Sequence, residues 1–181
     1  MLEQIVLAGS GGQGIQFAGQ LLARAAVRQG LEATYVPSYG AERRGGPSFC
    51  FVVVADKPIH APVFKHSDVL LAFDQRARMQ YASLVKPSGL IILNSDLASH
   101  ATDEELARVV SLPASTLADR FRKDSAFNMV MLGAYLTLRR TVTMEMVRTV
   151  LQTETAKKQE WLEFNLKTLE QGAEAVKEAI S

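Results

Sequence analysis

Short apolar runs alternate with longer stretches of helical periodicity through the first two thirds of the chain, and helical periodicity alone fills the last third. Residues 5–8, Ile5-Val6-Leu7-Ala8, form an apolar run that stops at Gly9, the pattern of a buried strand. Beyond it Ile15, Ala18, Leu21, Leu22, Ala25 and Ala26 fall on one face of a helix predicted over 13–29, and Gly30 follows as its stop. Residues 33–36 predict a second strand ended by Pro37, which makes strand, helix and strand a βαβ unit. The polar, glycine-rich stretch 37–48 leaves no room for a packed helix. Residues 49–55 are nevertheless the strongest strand pattern in the chain. A parallel return needs a longer crossover, so this strand is expected to be antiparallel or at a sheet edge.

Residues 56–68 contain Pro58 and Pro62 and read as a loop. Residues 69–73 and 90–93 predict two further buried strands with a helix over about 75–85 between them, and Pro87-Ser88-Gly89 turns into the second. A weaker strand over 109–112 precedes Pro113. After it come a nearly all-apolar helix over 127–138, with Ser125 as its N-cap, and another helix capped by Thr143. A last helix from about Lys157 places Leu162, Leu166, Leu169, Ala173, Val176 and Ile180 on an a/d seam. So short a seam is expected to pack on its own domain rather than on a partner. The pattern predicts one α/β domain over 1–181. Its sheet part (1–122) is a doubly wound, open, mixed but mostly parallel sheet, and its C-terminal part (123–181) is helical.

Composition narrows the function. Of 181 residues, 48% are hydrophobic and 22% charged, an ordinary globular balance. Lys plus Arg is 20 and Asp plus Glu is 19, so the net charge of +1 offers no general attraction to nucleic acid or anionic lipid. Any anion site must be local. No signal peptide or membrane span fits, and the expected compartment is the cytoplasm. A single cysteine, Cys50, cannot supply a disulfide, a zinc site or an iron–sulfur ligand set. Flanked by Phe49 and Phe51 in a strand, it reads as a structural thiol. His60, His66 and His100 have no metal-ligand spacing and read as loop residues.

Two loops carry the candidate chemistry. Gly9-Ser10-Gly11-Gly12-Gln13-Gly14 satisfies G-x-G-x-x-G between a predicted strand and a predicted helix. Glycines let a backbone approach a phosphate, and the helix N-terminus adds free N–H groups and partial positive charge. The same pattern also serves as a tight turn with no ligand. An NAD site wants an acid at the end of the second strand, on the ribose. Here that strand ends Val36-Pro37-Ser38-Tyr39, and Arg43 rather than a lysine stands four residues beyond Tyr39. The second loop is Ser38-Tyr39-Gly40-Ala41-Glu42-Arg43-Arg44-Gly45-Gly46. Its guanidinium groups suit phosphate or carboxylate, and Gly45-Gly46 suits a backbone nest, although charged loops are commonly just solvated. In an open sheet both loops lie at the carboxyl edge, where ligands bind. Asp74 and Asn94 follow strands at the same edge and are candidates for either a site or a cap.

These motifs, with Asp56-Lys57-Pro58-Ile59, Ser67-Asp68-Val69-Leu70-Leu71, Asn128-Met129-Val130, Leu132-Gly133-Ala134 and Asn165-Leu166-Lys167, occur in an order that resembles one family over nearly the whole chain. It is the gamma subunit of thiamine-diphosphate-dependent 2-oxoacid:ferredoxin (acceptor) oxidoreductases. The Ser-Tyr-Gly opening and Arg-Gly-Gly close of the second loop, with Cys50 shortly after, lean toward the 2-oxoglutarate type. Arg43 keeps the pyruvate and branched-chain types open, and indolepyruvate enzymes have a similar domain. The resemblance implies a subunit, inactive alone, of a complex that converts a 2-oxoacid and CoA to acyl-CoA, CO2 and reduced acceptor. It implies no catalytic residue and no metal in this chain. Thiamine diphosphate and iron–sulfur clusters are expected in alpha and beta partners, with a ferredoxin-like delta subunit as a further partner. Residues 9–14, together with Ser38, Tyr39, Gly40, Glu42, Arg43, Arg44, Gly45 and Gly46, would bind CoA or contact the thiamine-bearing partner. A free-standing dinucleotide-dependent oxidoreductase and a non-enzymatic assembly module are the alternatives.

Overall fold

A computed structural model describes residues 1–39, 45–99, 107–119, 127–155 and 159–179. The apolar run at the start becomes β1 (Leu2–Ser10), and the chain turns through its glycines into α1 (Ile15–Arg28). Gly30 ends α1 as expected. Its N–H donates to Val27 O, and that of Leu31 donates to Ala26 O, a paired closure of the last turn. Next come β2 (Glu32–Tyr39) and β3 (Pro47–Ala55), and after a long loop β4 (Ser67–Ala72). Then follow α2 (Gln75–Tyr81) with a 3-10 turn, β5 (Val85–Asn94), β6 (Arg108–Leu112) and α3 (Ala114–Asp119). Helices α4 (Phe127–Arg139), α5 (Met144–Thr155) and α6 (Gln159–Ala179) complete the described chain.

The strands form one six-stranded sheet in the order β2-β3-β1-β4-β5-β6. β4, β5 and β6 follow β1 in parallel, whereas β3 is antiparallel to both β1 and β2. The sheet is therefore mixed and mostly parallel, as its patterning predicts. Strand β3 is antiparallel, but it is not at the edge. It lies between the two strands of the expected βαβ unit, and β2 takes the edge. That placement explains a correction: β2 does not end at Pro37 but runs on through Ser38 to Tyr39, because an edge strand is where a proline is tolerated. Two other boundaries also differ. The helix after β4 is α2 plus the 3-10 turn and ends before Val85. Pro87-Ser88-Gly89 lies inside β5, where a register shift between Ser67 and Val69 of β4 absorbs the extra residues.

One face of the sheet, with Ile5, Leu7, Val52, Val54, Leu71 and Ile92, is packed by α1 and by helices of the C-terminal part. The other, with Val6, Ala8, Leu70, Ile91 and Leu93, is packed by Ala77 and Tyr81 of α2. The C-terminal seam packs on its own chain, with Leu169 and Val176 fully buried and Leu162 and Leu166 joining the same core. Thr143 caps α5, accepting from the Met146 N–H at 3.3 Å. The proposed cap Ser125 and the seam residue Ile180 lie outside the described residues. Below the sheet, Glu3 is 2% exposed and accepts from Tyr135 Oη at 2.7 Å and from Arg139 Nε at 2.5 Å, which ties the start of β1 to α4.

Candidate functional site

The glycine turn lies at the carboxyl end of β1. Its backbone folds on itself: Ser10 N–H donates to Gln13 Oε1 at 2.7 Å, and Gln13 N–H donates to Ser10 O at 3.2 Å. Ser10 Oγ donates to Asp74 Oδ2 at 2.6 Å, while Asp74 Oδ1 accepts from Ala77 N–H at 2.9 Å. Asp74 thus caps α2 and anchors the turn at once, with both carboxylate oxygens engaged. Asn94 is likewise occupied. Its Oδ1 accepts from Ala114 N–H and Asp96 N–H, and its Nδ2 donates to Ser115 Oγ at 3.1 Å. Both carboxyl-edge candidates hold the following segments in place.

Gly14 is the residue immediately before α1 and sits at φ +74, a left-handed conformation that favours glycine. A Cβ there would also collide with the Asn128 amide, whose Nδ2 donates to Gly14 O at 3.1 Å. Asn128 is 5% exposed, so α4 holds the turn from behind. No side chain caps the N-terminus of α1, and no acid occupies its first turn. The first N–H groups of the helix have no intrahelical partner, and they carry the partial positive charge of a helix N-terminus.

The second loop meets the first. Gly11 N–H donates to Gly46 O at 2.8 Å, one step beyond the Ser10–Pro47 pair that ends the β1–β3 ladder. Ser38 and Tyr39 are paired with Phe49 and Ser48 in the β2–β3 ladder. The structure therefore brings residues 9–14, Ser38, Tyr39, Gly45 and Gly46 to one end of the sheet. Gly40, Glu42, Arg43 and Arg44 lie outside the described residues. Sequence reasoning did not single out Gln16, which bonds to both strands of this hairpin, or Asn128 as a support of the turn. Asn128 had a signal, a lone amide at the head of an apolar helix; Gln16 had none.

Cys50 is fully buried in β3, and burial pushes its thiol up to about 12 against the opposing pull of a backbone hydrogen bond from Leu7. A thiol so held is a packing group, not a nucleophile. His60 and His66 are exposed loop residues, and His100 lies outside the described residues. Among the described residues no three His, Cys, Asp or Glu side chains come together as a metal site, and no helix is long and apolar enough to cross a membrane.

In a dinucleotide-binding sheet the strand after the first helix lies beside β1, and an acid at its tip reaches the ribose. Here β3 occupies that lane, so the tip of β2 is displaced by a second strand spacing to roughly 10 Å from β1. What remains is an α/β protein built on a glycine turn into an uncapped helix, the geometry that other folds use for phosphate groups. The chain belongs to the pyruvate ferredoxin/flavodoxin oxidoreductase family, whose sequence profile matches residues 4–175. It is 34% identical over 178 residues to ketoisovalerate oxidoreductase subunit VorA of Methanothermobacter thermautotrophicus, covering 98% of this chain but 37% of the length of that relative. It is also 34% identical to 2-oxoglutarate synthase subunit KorC of Methanocaldococcus jannaschii, covering 98% of this chain and 96% of the relative. Among solved structures, the keto/oxoacid ferredoxin oxidoreductase gamma subunit of Geobacter sulfurreducens superposes with a TM-score of 0.87 at 28% identity, covering 99% of this chain and 98% of that one. The 2-oxoglutarate:ferredoxin oxidoreductase of Magnetococcus marinus, described with 2-oxoglutarate, coenzyme A and succinyl-CoA bound, superposes with a TM-score of 0.89 at 28% identity; the match covers 98% of this chain and 31% of that one.

Proposed function

We propose that this chain is the gamma component of a cytoplasmic 2-oxoacid:ferredoxin or acceptor oxidoreductase, one domain over 1–181, and that its two carboxyl-edge loops bind the diphosphate of CoA. The complex would take a 2-oxoacid, CoA and oxidised acceptor to acyl-CoA, CO2 and reduced acceptor. Alpha and beta partners, and a ferredoxin-like delta subunit where present, would hold thiamine diphosphate and the clusters. One cysteine, buried and held protonated, gives this chain no cluster ligand set, and that supports the division of labour. The observation that supports the ligand assignment is the Gly11 N–H to Gly46 O bond, which joins the last residue of the second loop to the glycine turn that leads into α1. Relatives named for 2-oxoglutarate and for ketoisovalerate both match at 34% identity.

In this assignment Arg44, adjoining Gly45-Gly46, pairs with a CoA phosphate. Arg43 serves the same loop, and Gly9 to Gly14 present backbone to the ligand. The test is Arg44→Ala in the assembled complex, with the CoA dependence of dye reduction measured at two salt concentrations. Loss of more than tenfold in kcat/KM for CoA, about 1.4 kcal/mol or more, with assembly intact, is expected. If the variant dissociates the complex while CoA use stays normal in what remains assembled, the loop is an interface element.

A further inference from the structure

We infer that Gln16 is a positioning residue for CoA, holding the two strand stems of the second loop at a fixed distance from the helix that carries the glycine turn. Gln16 lies in the first turn of α1, two residues beyond Gly14. Its Oε1 accepts from Tyr35 Oη at 2.6 Å. The two N–H groups on its Nε2 are shared among three acceptors: Ser38 O at 3.2 Å, Ser48 Oγ at 3.1 Å and Phe49 O at 3.0 Å. Ser38 and Ser48 stand on either side of the second loop, one on the outgoing strand and one on the returning strand, and Ser38 pairs with Phe49. One side chain therefore grips both stems of the loop from the helix that carries the glycine turn. The Gly11 to Gly46 bond ties the returning stem to the turn itself.

The chemistry explains the choice of an amide. A glutamate of the same shape keeps the acceptor for Tyr35 but has no donor, so it would face Ser38 O and Phe49 O with lone pairs against lone pairs. It would also place a negative charge at the N-terminus of α1, next to the proposed phosphate position. A leucine fills similar space with no bond at all. Tyr35 orients the amide so that its nitrogen faces the hairpin, and Tyr35→Phe removes that orientation while keeping the ring.

The inference rests on the proposed CoA role of the two loops, and the experiment separates the two. Gln16→Glu, Gln16→Leu, Tyr35→Phe and Arg44→Ala are each assembled with the partner subunits. Turnover is followed by reduction of a viologen dye, with 2-oxoglutarate, pyruvate and ketoisovalerate screened and the best substrate retained. KM for CoA, KM for the oxoacid and kcat are measured, with thermal unfolding alongside. For Gln16→Glu, KM for CoA is expected to rise at least tenfold while kcat at saturating CoA falls less than threefold and KM for the oxoacid stays within twofold. Tyr35→Phe should move KM for CoA the same way by about threefold, and it keeps the test available if the Gln16 variants fail to assemble. If Arg44→Ala raises KM for CoA but the Gln16 and Tyr35 variants lower only the unfolding temperature, Gln16 is a structural brace and the inference falls while the loop assignment stands. If none of the four variants changes KM for CoA, both fall.

Discussion

Gly133 of α4 and Gly172 of α6 face each other's helix backbones. A Cβ on Gly133 would run into the carbonyl oxygen of Leu169, and one on Gly172 into that of Val130. The contact is reciprocal, so the two axes approach as closely as backbones allow. Replacing a helical glycine by alanine ordinarily stabilises by up to about 1 kcal/mol. Here the sign should reverse. Gly133→Ala and Gly172→Ala should each destabilise the chain by about 2–3 kcal/mol, because a rigid backbone cannot yield as a side chain can. Urea unfolding measures it, and a stabilising result for either variant would show that the helices separate without penalty.

Gly14 and Asn128 should be energetically coupled. Gly14→Ala meets two obstacles, a left-handed backbone costing about 1–2 kcal/mol and a collision with the Asn128 amide. In an Asn128→Ala background only the first remains. A double-mutant cycle should therefore return a coupling of roughly 1–2 kcal/mol between positions 114 residues apart. Strict additivity would mean that α4 does not support the glycine turn.

Cys50 should make the fold sensitive to alkali. Its ordinary value of 9.0 is pushed up to about 12 in the folded chain. The unfolded state ionises first, so the contribution is fully present below pH 9 and is lost as pH rises toward 12. Between pH 8 and pH 10.5 the wild-type chain should lose about 2 kcal/mol more than Cys50→Ala. The thiol should also resist alkylation at pH 8 until the chain unfolds. Rapid labelling of the folded chain would overturn both expectations.

Local pattern disclosed most of the sheet but not its connections. That β3 is antiparallel or at a sheet edge was legible because stretch 37–48 is too short and too polar for a crossover helix, and the antiparallel alternative is the one that holds. Its position between β1 and β2 was not, because no local rule says which side of β1 a returning strand takes. Pro37 read as a strand end because proline breaks ladders in general, and only the edge position of β2 lifts that rule. In the candidate site, the glycine turn was visible through its spacing. Its supports were legible only in part: Asp74 could be read as a cap but not as the partner of Ser10, and Asn128 and Gln16 act on segments that meet only after folding, since an amide or carboxylate carries no mark of its distant partner. The arginines of the second loop were legible as residue types alone.

The strand inserted beside β1 also bears on the order in which the sheet is built. Tyr39 and Ser48 pair across nine residues, whereas Ile5 pairs with Val52 on one side and Val69 on the other. Closing the short hairpin forfeits little chain entropy, and closing either long span forfeits more. The short hairpin is thus expected to form ahead of the pairing of β1 with either neighbour. The carboxyl-edge loops are then brought together as the sheet assembles, since the docking of β1 onto β3 is the event that places Gly11 against Gly46.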